Sequence, residues 1–434
     1  MVHNGAVFSQ RRAALAKRVG SPVFLIGGFE VVSGPFVQES SFFYFTGISE
    51  PGLTCLIDAD GRSTLFVPKY PAYRTQWTES LCVADTATAQ KYGFDSVEFL
   101  GAETPNLNIS FFSPQDCWHR LIEVLLHVAE KHGKVGTVLN NEFLCRLFLL
   151  FPELRNVSVD VMREIAVLRR KKDAGEVGLL RDAARMTATA QLEIAGVLRE
   201  EDCTEGILQK SFEVYFLGLG AQTAFTPIVA AGANSTVVHH QSADKIISND
   251  ETVVFDAGAR LNGYCADITR TYPVSGTFSK RQREIYEIVL ETQERVIEMA
   301  RPGVYLSNKN EPEKSLYHEA KRSFAKYGLD EYFVHGIGHF IGLDVHDVGD
   351  PSEPLQPGDC FTIEPGLYLS NEGIGVRIED MFTITDDGKL ESISTDLLPR
   401  QVKDVEATMA ALATMCACEE CAVEDDECCC GCDD

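Results

Sequence analysis

Two pairs of acidic residues in the second half of the chain are spaced as metal ligands would be. Asp256 and Asp267 stand on either side of a turn-forming stretch that includes Leu261-Asn262-Gly263. If residues 260–263 form a four-residue hairpin loop, the two carboxylates lie directly opposite each other on one sheet face, with Cβ atoms ~5 Å apart. Like charges at that distance repel, so the arrangement calls for a cation between them. Glu364 and Glu379, separated by 14 residues, centre in the same way on the turn-rich Ser370-Asn371-Glu372-Gly373. Any one of these acids alone reads as a turn residue or a solvent-facing strand residue. All four together do not, because Asp256 ends the apolar run Val253-Val254-Phe255 and Glu364 follows Phe361-Thr362-Ile363. Four carboxylates make an oxygen-rich cage for hard divalent ions, and His339, from a glycine-rich stretch at 335–342, adds a nitrogen. That donor set suits Mn, Co, Zn or Fe better than Mg or Ca. Glycines 336, 338 and 342 are expected to let backbone approach the cluster where side chains would collide.

The elements that must carry these residues are legible in outline. Strands are expected at 252–257 and 264–272 for the Asp pair, and at 360–369 and 375–385 for the Glu pair. Between them, Ser279 should cap a helix carrying Ile285, Ile288, Val289 and Val296 that stops before Arg301-Pro302-Gly303. A second helix is expected over 313–327. Two acid-bearing hairpins thus bracket a helical middle, a layout that hints at two similar halves. The N-terminal part reads as mixed α/β, with strands at 42–48 and 64–67 and a helix over 114–131. A basic run, Arg169-Arg170-Lys171-Lys172, precedes Asp173 and Glu176, which have capping-box spacing, and then Val177, Leu180, Ala184, Ala188 and Leu192 recur with helical period. The expected organisation is an N-terminal α/β domain at 1–165, a second domain at 166–405, and a tail at 406–434.

Length and composition agree with this division. At 434 residues the chain exceeds one ordinary core. The formal net charge of -25, from 64 acidic and 39 basic residues, excludes nucleic acid and anionic membrane as principal partners, because both would be repelled. The N-terminus has no apolar h-region, and the most apolar stretch, 144–151, is too short to span a bilayer. A cytoplasmic enzyme is the expectation. Half of the 14 cysteines crowd into the last 19 residues. The others show no CxxC spacing and read as buried thiols. The tail from Cys416 onward, with seven Cys, eight acidic residues and no basic one, is expected to be solvated and disordered.

At this point the ordered motifs resemble a known family. Asp256-Ala-Gly, Asp267-Ile-Thr-Arg, His335-Gly-Ile-Gly-His339, His346-Asp347-Val-Gly, Glu364-Pro-Gly and Arg377-Ile-Glu379-Asp380 are similar to those of the Xaa-Pro peptidases, aminopeptidase P and prolidase, over roughly residues 174–400. Residues 42–52 and 63–68 resemble, more loosely, the accessory domain of that family. The resemblance implies an α/β (α+β) protein, a pita-bread metallopeptidase domain preceded by a smaller creatinase/aminopeptidase P-like N-terminal domain. It implies two divalent metal ions, manganese first and cobalt or zinc next. Asp256 and Asp267 would bind one and His339 and Glu364 the other, with Asp267 and Glu379 bridging. Water shared by two cations is acidified enough to supply the nucleophile. Glu364 would take its proton and pass it to the leaving nitrogen. His239 and His335 match substrate-pocket histidines. His346 matches the one that hydrogen-bonds the scissile carbonyl, and Arg377 a pocket arginine that orients a carboxylate or the substrate backbone. The partners implied are Xaa-Pro peptides or dipeptides, and a second copy in a homodimer.

Three alternatives stand beside this. Prolidases act on dipeptides, and some carry a long insertion between the two metal glutamates, which the 14-residue spacing here does not accommodate. The aminopeptidase P type is therefore preferred. Methionine aminopeptidases share the five ligands, but an N-terminal domain of this length argues against them. A non-catalytic binding protein on the same scaffold would be expected to have lost ligands, and none is missing.

Overall fold

The computed structural model describes residues 5–29, 36–76, 80, 82–104, 118–200, 202–241 and 244–421. The chain divides into two compact units, Met1–Arg169 and Arg170–Asp434, and the helix Met162–Arg170 carries it past the boundary expected near residue 165.

The first unit is built on a six-stranded mixed sheet. Its strands are β1 (Val23–Ile26), β2 (Thr54–Ile57), β3 (Ser63–Lys69), β4 (Ser96–Glu103), β5 (Val135–Thr137) and β6 (Ser158–Asp160), in the order β4-β3-β2-β1-β5-β6. Phe24, Leu56, Phe66 and Leu100 from the strands pack against Trp118, Leu121 and Leu125 at the helix His119–His132. That helix starts later than expected, and positions 114–117 lie outside the described residues. The expected strand at 42–48 is instead a helix, Ser40–Thr46. Its aromatic residues have strand propensity, but the Glu39 carboxylate accepts from the N–H groups of Ser41 and Phe42, and Gly47 closes the helix at φ 68°. Capping at both ends outweighs propensity in so short a segment.

The second unit opens on the helix Ala174–Gly196, with the capping box of Asp173 and Glu176 in place. A cap of this kind contributes about 1 kcal/mol. The acid-bearing strands follow. β8 (Ile228–Ala231), β9 (Thr252–Ala257) and β12 (Ile268–Pro273) form one antiparallel sheet, and β7 (Gln222–Thr223), β10 (Ala259–Leu261) and β11 (Tyr264–Cys265) another. β13 (Cys360–Ile363), β16 (Asp380–Ile384) and β17 (Leu390–Ser392) form a third, and β14 (Gly366–Leu369) pairs with β15 (Ile374–Arg377). The helix Lys280–Met299, capped by Ser279 and Gln282, buries Ile285, Val289 and Val296 in one core with Phe255, Tyr272, Ile363 and Phe382. The helix expected over 313–327 divides into a 3-10 turn, Pro312–Lys314, and a helix, Leu316–Ala325.

The segment from 406, expected as a disordered tail, begins inside a helix, Val402–Cys421. Val405 and Met409 bury apolar side chains in the core of the unit, which holds that helix in place. Positions 422–434 lie outside the described residues.

Candidate metal centre

The two hairpins deliver the acids, one in the expected register and one shifted. In the Glu hairpin Ile363 pairs with Asp380 and Gly366 with Arg377, so Glu364 and Glu379 face each other as anticipated. In the Asp hairpin Asp256 pairs with Thr269, and Leu261 with Tyr264. The loop is two residues, Asn262 at φ 51° and Gly263 at φ 86°, not four. Left-handed conformations at both positions match the right-handed strand twist, which is why Asn-Gly selects the short turn. The correction moves Asp267 two residues along the strand. A two-residue shift preserves the face, so Asp256 and Asp267 are diagonal neighbours on the same side.

His339 completes the cluster. Its Nε2 lies 3.3 Å from Asp267 Oδ2 and 3.6 Å from Glu364 Oε1, and one ligand atom each from Asp267, His339 and Glu379 lie within 4.8 Å of one another. His339 Nδ1 donates to the Phe340 carbonyl at 3.1 Å. That bond fixes the tautomer and turns the Nε2 lone pair toward the carboxylates. Thr362 Oγ1 accepts from the His339 backbone N–H and donates to Glu364 Oε1. Gly338 sits where a Cβ would come within 2.0 Å of the Thr362 carbonyl, whereas Gly336 has 4.0 Å of clearance and meets no such constraint.

The electrostatics of this cage point to cations. Asp256 Oδ1, Asp267 Oδ1 and Glu379 Oε1 are buried without a hydrogen-bond partner, an expensive condition for carboxylate oxygens. Burial, and then the charges of Asp256 and Glu364, push the Asp267 carboxyl well above the usual range. Burial, and then Asp267, Glu364 and Asp256, do the same to Glu379. Glu364 is raised chiefly by burial, against the opposing pull of His339 and Arg377. Divalent ions among these atoms would satisfy the unpartnered oxygens and cancel the repulsion, so the residues present fit such a group.

The remaining candidates are distributed less uniformly. Arg377 is buried and already engaged. Its Nη2 donates to Asp256 Oδ2 at 2.6 Å, Nε to Thr269 Oγ1 at 3.1 Å, and Nη1 to the Tyr368 hydroxyl at 2.8 Å. The guanidinium is thus turned inward, where it braces the cage. Thr269 in turn donates to Glu379 Oε2 at 2.6 Å. The Tyr368 hydroxyl donates to His335 Nε2 at 2.7 Å, and His335 Nδ1 donates to the Gly336 carbonyl. Burial, then Arg377, depresses the His335 value to about 4, which keeps the ring neutral. His346 is exposed, and its ring centroid lies 4.1 Å from that of His339. Burial, then His339 and His239, lower its pKa. His239 is exposed and lies in the neighbourhood of both His335 and His346. The neighbouring His240 instead bonds the fully buried Glu205 at 3.0 Å.

Sequence reasoning missed Thr269, Thr362 and Tyr368. Their signal was present in the alternation of strands. Thr269 lies two residues after Asp267, Thr362 two before Glu364, and Tyr368 four after it, all on the ligand-bearing face.

A fold of two α/β units, the second closing two acid hairpins and a histidine loop around one cation-demanding cage, defines a metallopeptidase of pita-bread type. The chain matches the model of metallopeptidase family M24 over residues 178–386 and that of the aminopeptidase P N-terminal domain over 8–107. Among curated proteins it is 29% identical to the Xaa-Pro aminopeptidase of Escherichia coli strain K12, covering 93% of this chain and 97% of the relative. It is also 29% identical to Xaa-Pro aminopeptidase 3 of Homo sapiens, over 86% of this chain and 76% of that one. Among solved structures, aminopeptidase P from E. coli with the inhibitor Pro-Leu superposes with a TM-score of 0.80 at 25% identity, covering 95% of this chain and 100% of that one.

Proposed function

We propose that this enzyme is a dinuclear Xaa-Pro aminopeptidase that releases the N-terminal residue from peptides with proline in second position. The observation that carries the reading is the convergence of Asp256, Asp267, His339, Glu364 and Glu379, with three buried carboxylate oxygens among them lacking any partner. Two divalent cations held by these five residues, manganese first, would supply Lewis-acid polarisation and lower the pKa of water. The protein's own groups do the rest. Glu364, partly exposed and oriented by Thr362, accepts the proton of the attacking water and delivers it to the leaving imide nitrogen. His346, uncharged at neutral pH, donates a hydrogen bond to the carbonyl oxygen as charge develops there. His239 and the Tyr368-bound His335 contact the peptide at the same opening.

Preference for peptides longer than two residues rests on the short Glu364–Glu379 hairpin and the names of the relatives. The test is hydrolysis of Ala-Pro-Ala against Ala-Pro with manganese, cobalt and zinc in parallel. Release of alanine from the tripeptide supports the reading, and activity confined to the dipeptide assigns the enzyme to the prolidase type. We further place it in the cytoplasm as a homodimer. Among the described residues no helix is long and apolar enough to cross a membrane, and Cys55, Cys82, Cys145, Cys203, Cys265 and Cys360 are free thiols. Light scattering after size exclusion reads the oligomeric state.

A further inference from the structure

The basic run at 169–172 has no part in the chemistry described so far, yet two of its cations in the second unit, Arg170 and Lys172, are buried while Lys171 is exposed. Arg170 and Lys172 are each 4% exposed. Lys172 Nζ bonds Asp347 Oδ2 at 2.8 Å, with both side chains 1% exposed, and its backbone N–H is held by the Gly358 carbonyl. Arg170 makes two hydrogen bonds to Asp359, at 2.8 and 2.7 Å, and its guanidinium carbon lies 4.6 Å from the centre of the Phe340 ring.

These two cations grip the ends of one loop. Phe340 directly follows His339, and Asp347 directly follows His346. The Asp347 N–H bonds the Phe340 carbonyl at 2.9 Å, closing the loop at its base. There is no slack inside it, because a Cβ on Gly342 would lie 2.1 Å from Asp347 Oδ2 and 2.8 Å from Lys172 Cε. His339 is independently secured by β13, through Thr362 N–H to its carbonyl and Thr362 Oγ1 to its N–H. The His346 side has its anchor one residue on, at Asp347. A buried ion pair is a poor source of net stability but a directional one, which suits it to fixing a position.

We propose that Lys172, acting through Asp347, is a positioning residue that holds the His346 ring beside His339 and toward the substrate carbonyl. The inference rests on the reading of His346 as the donor to that carbonyl. Its test uses the full-length, manganese-loaded enzyme on Ala-Pro-Ala with Lys172→Met, His346→Ala and the two combined. Lys172→Met lowers kcat about 10- to 100-fold, the loss that a misplacement on the order of 1 Å produces, while KM stays within about threefold, as for an interaction made only in the transition state. That loss disappears when His346 is already alanine. Co²⁺ affinity, followed by titration, stays within roughly threefold, because the contacts that hold His339 are untouched. The double variant Lys172→Met with Asp347→Leu also removes the carboxylate that Lys172 faced and regains the wild-type melting temperature, but not kcat.

Wild-type kcat in metal-loaded Lys172→Met overturns the inference. So does an equal fractional loss with and without His346, or a recovery of kcat along with melting temperature in the Lys172→Met/Asp347→Leu variant. Full activity in His346→Ala would instead remove the assigned role of His346, and the inference with it. An impaired His346→Ala beside a normal Lys172→Met sinks the inference alone.

Discussion

At the scale of residues, the centre is a set of acids that oppose one another until a cation arrives. A carboxyl whose folded pKa is raised contributes stability that is present below its unfolded value of about 4 and lost as pH rises through the folded value. Asp267, Glu364 and Glu379 are all of this kind. His335, depressed to about 4, has the opposite sign: its contribution is present above the usual histidine range and lost as pH falls toward 4. Cation binding cancels the first trend and leaves the second. The difference in melting temperature between manganese-loaded and EDTA-treated protein should therefore widen as pH is raised from 5 to 8. A difference independent of pH would contradict the cage. Glu364→Gln keeps the shape of the side chain and removes its basicity, so the variant should fold normally while kcat drops by about 10²- to 10⁴-fold. Full activity there ends the assignment of Glu364 as the proton carrier.

At the scale of elements, function depends on hairpin register. The Glu hairpin was legible because Ser370-Asn371-Glu372-Gly373 marks its turn and both flanks are apolar. The Asp hairpin was misplaced by two residues because Asn262-Gly263 is itself a complete turn, a signal available in the sequence and outweighed by an assumed four-residue loop. The ligand face survived that error only because the shift was even. The helix Ser40–Thr46 was not legible, since Phe42, Phe43, Tyr44 and Phe45 favour a strand locally and only capping at Glu39 and Gly47 decides otherwise. Nor was the inward turn of Arg377, which depends on Asp256, Thr269 and Tyr368 meeting from three different strands. The tight passage of the Asp hairpin offers a direct test. A Cβ on Gly258 would lie 1.9 Å from the Ala266 carbonyl, immediately before Asp267. Gly258→Ala should spread the strands there and weaken manganese binding by about tenfold or more, the scale of losses on disturbing a ligand's support. Unchanged affinity, measured by titration calorimetry, would show that the register does not control the site.

At the scale of the whole molecule, the catalytic unit is secured by the buried contacts of the helix Val402–Cys421, which come from Val402, Val405 and Met409. Ending the chain after Cys421 removes six of the 64 acidic residues and takes the net charge from -25 to -19. That truncation should leave kcat and melting temperature essentially unchanged, because the residues of the cage and the buried contacts of Val402, Val405 and Met409 all lie before the cut. A collapse of activity would give the cysteine-rich end a role the core does not reveal. The central claim is that this chain binds two cations in one cage and uses them to cut before proline. It is tested most directly by adding manganese stepwise to metal-stripped enzyme while following both bound metal per chain and release of alanine from Ala-Pro-Ala. Activity should appear as the cage fills and level off at about two equivalents, the number a bridged two-metal site holds, with Ala-Ala-Ala spared. Full activity in metal-free protein, or tight binding of two equivalents with no cleavage of any Xaa-Pro peptide, would contradict it.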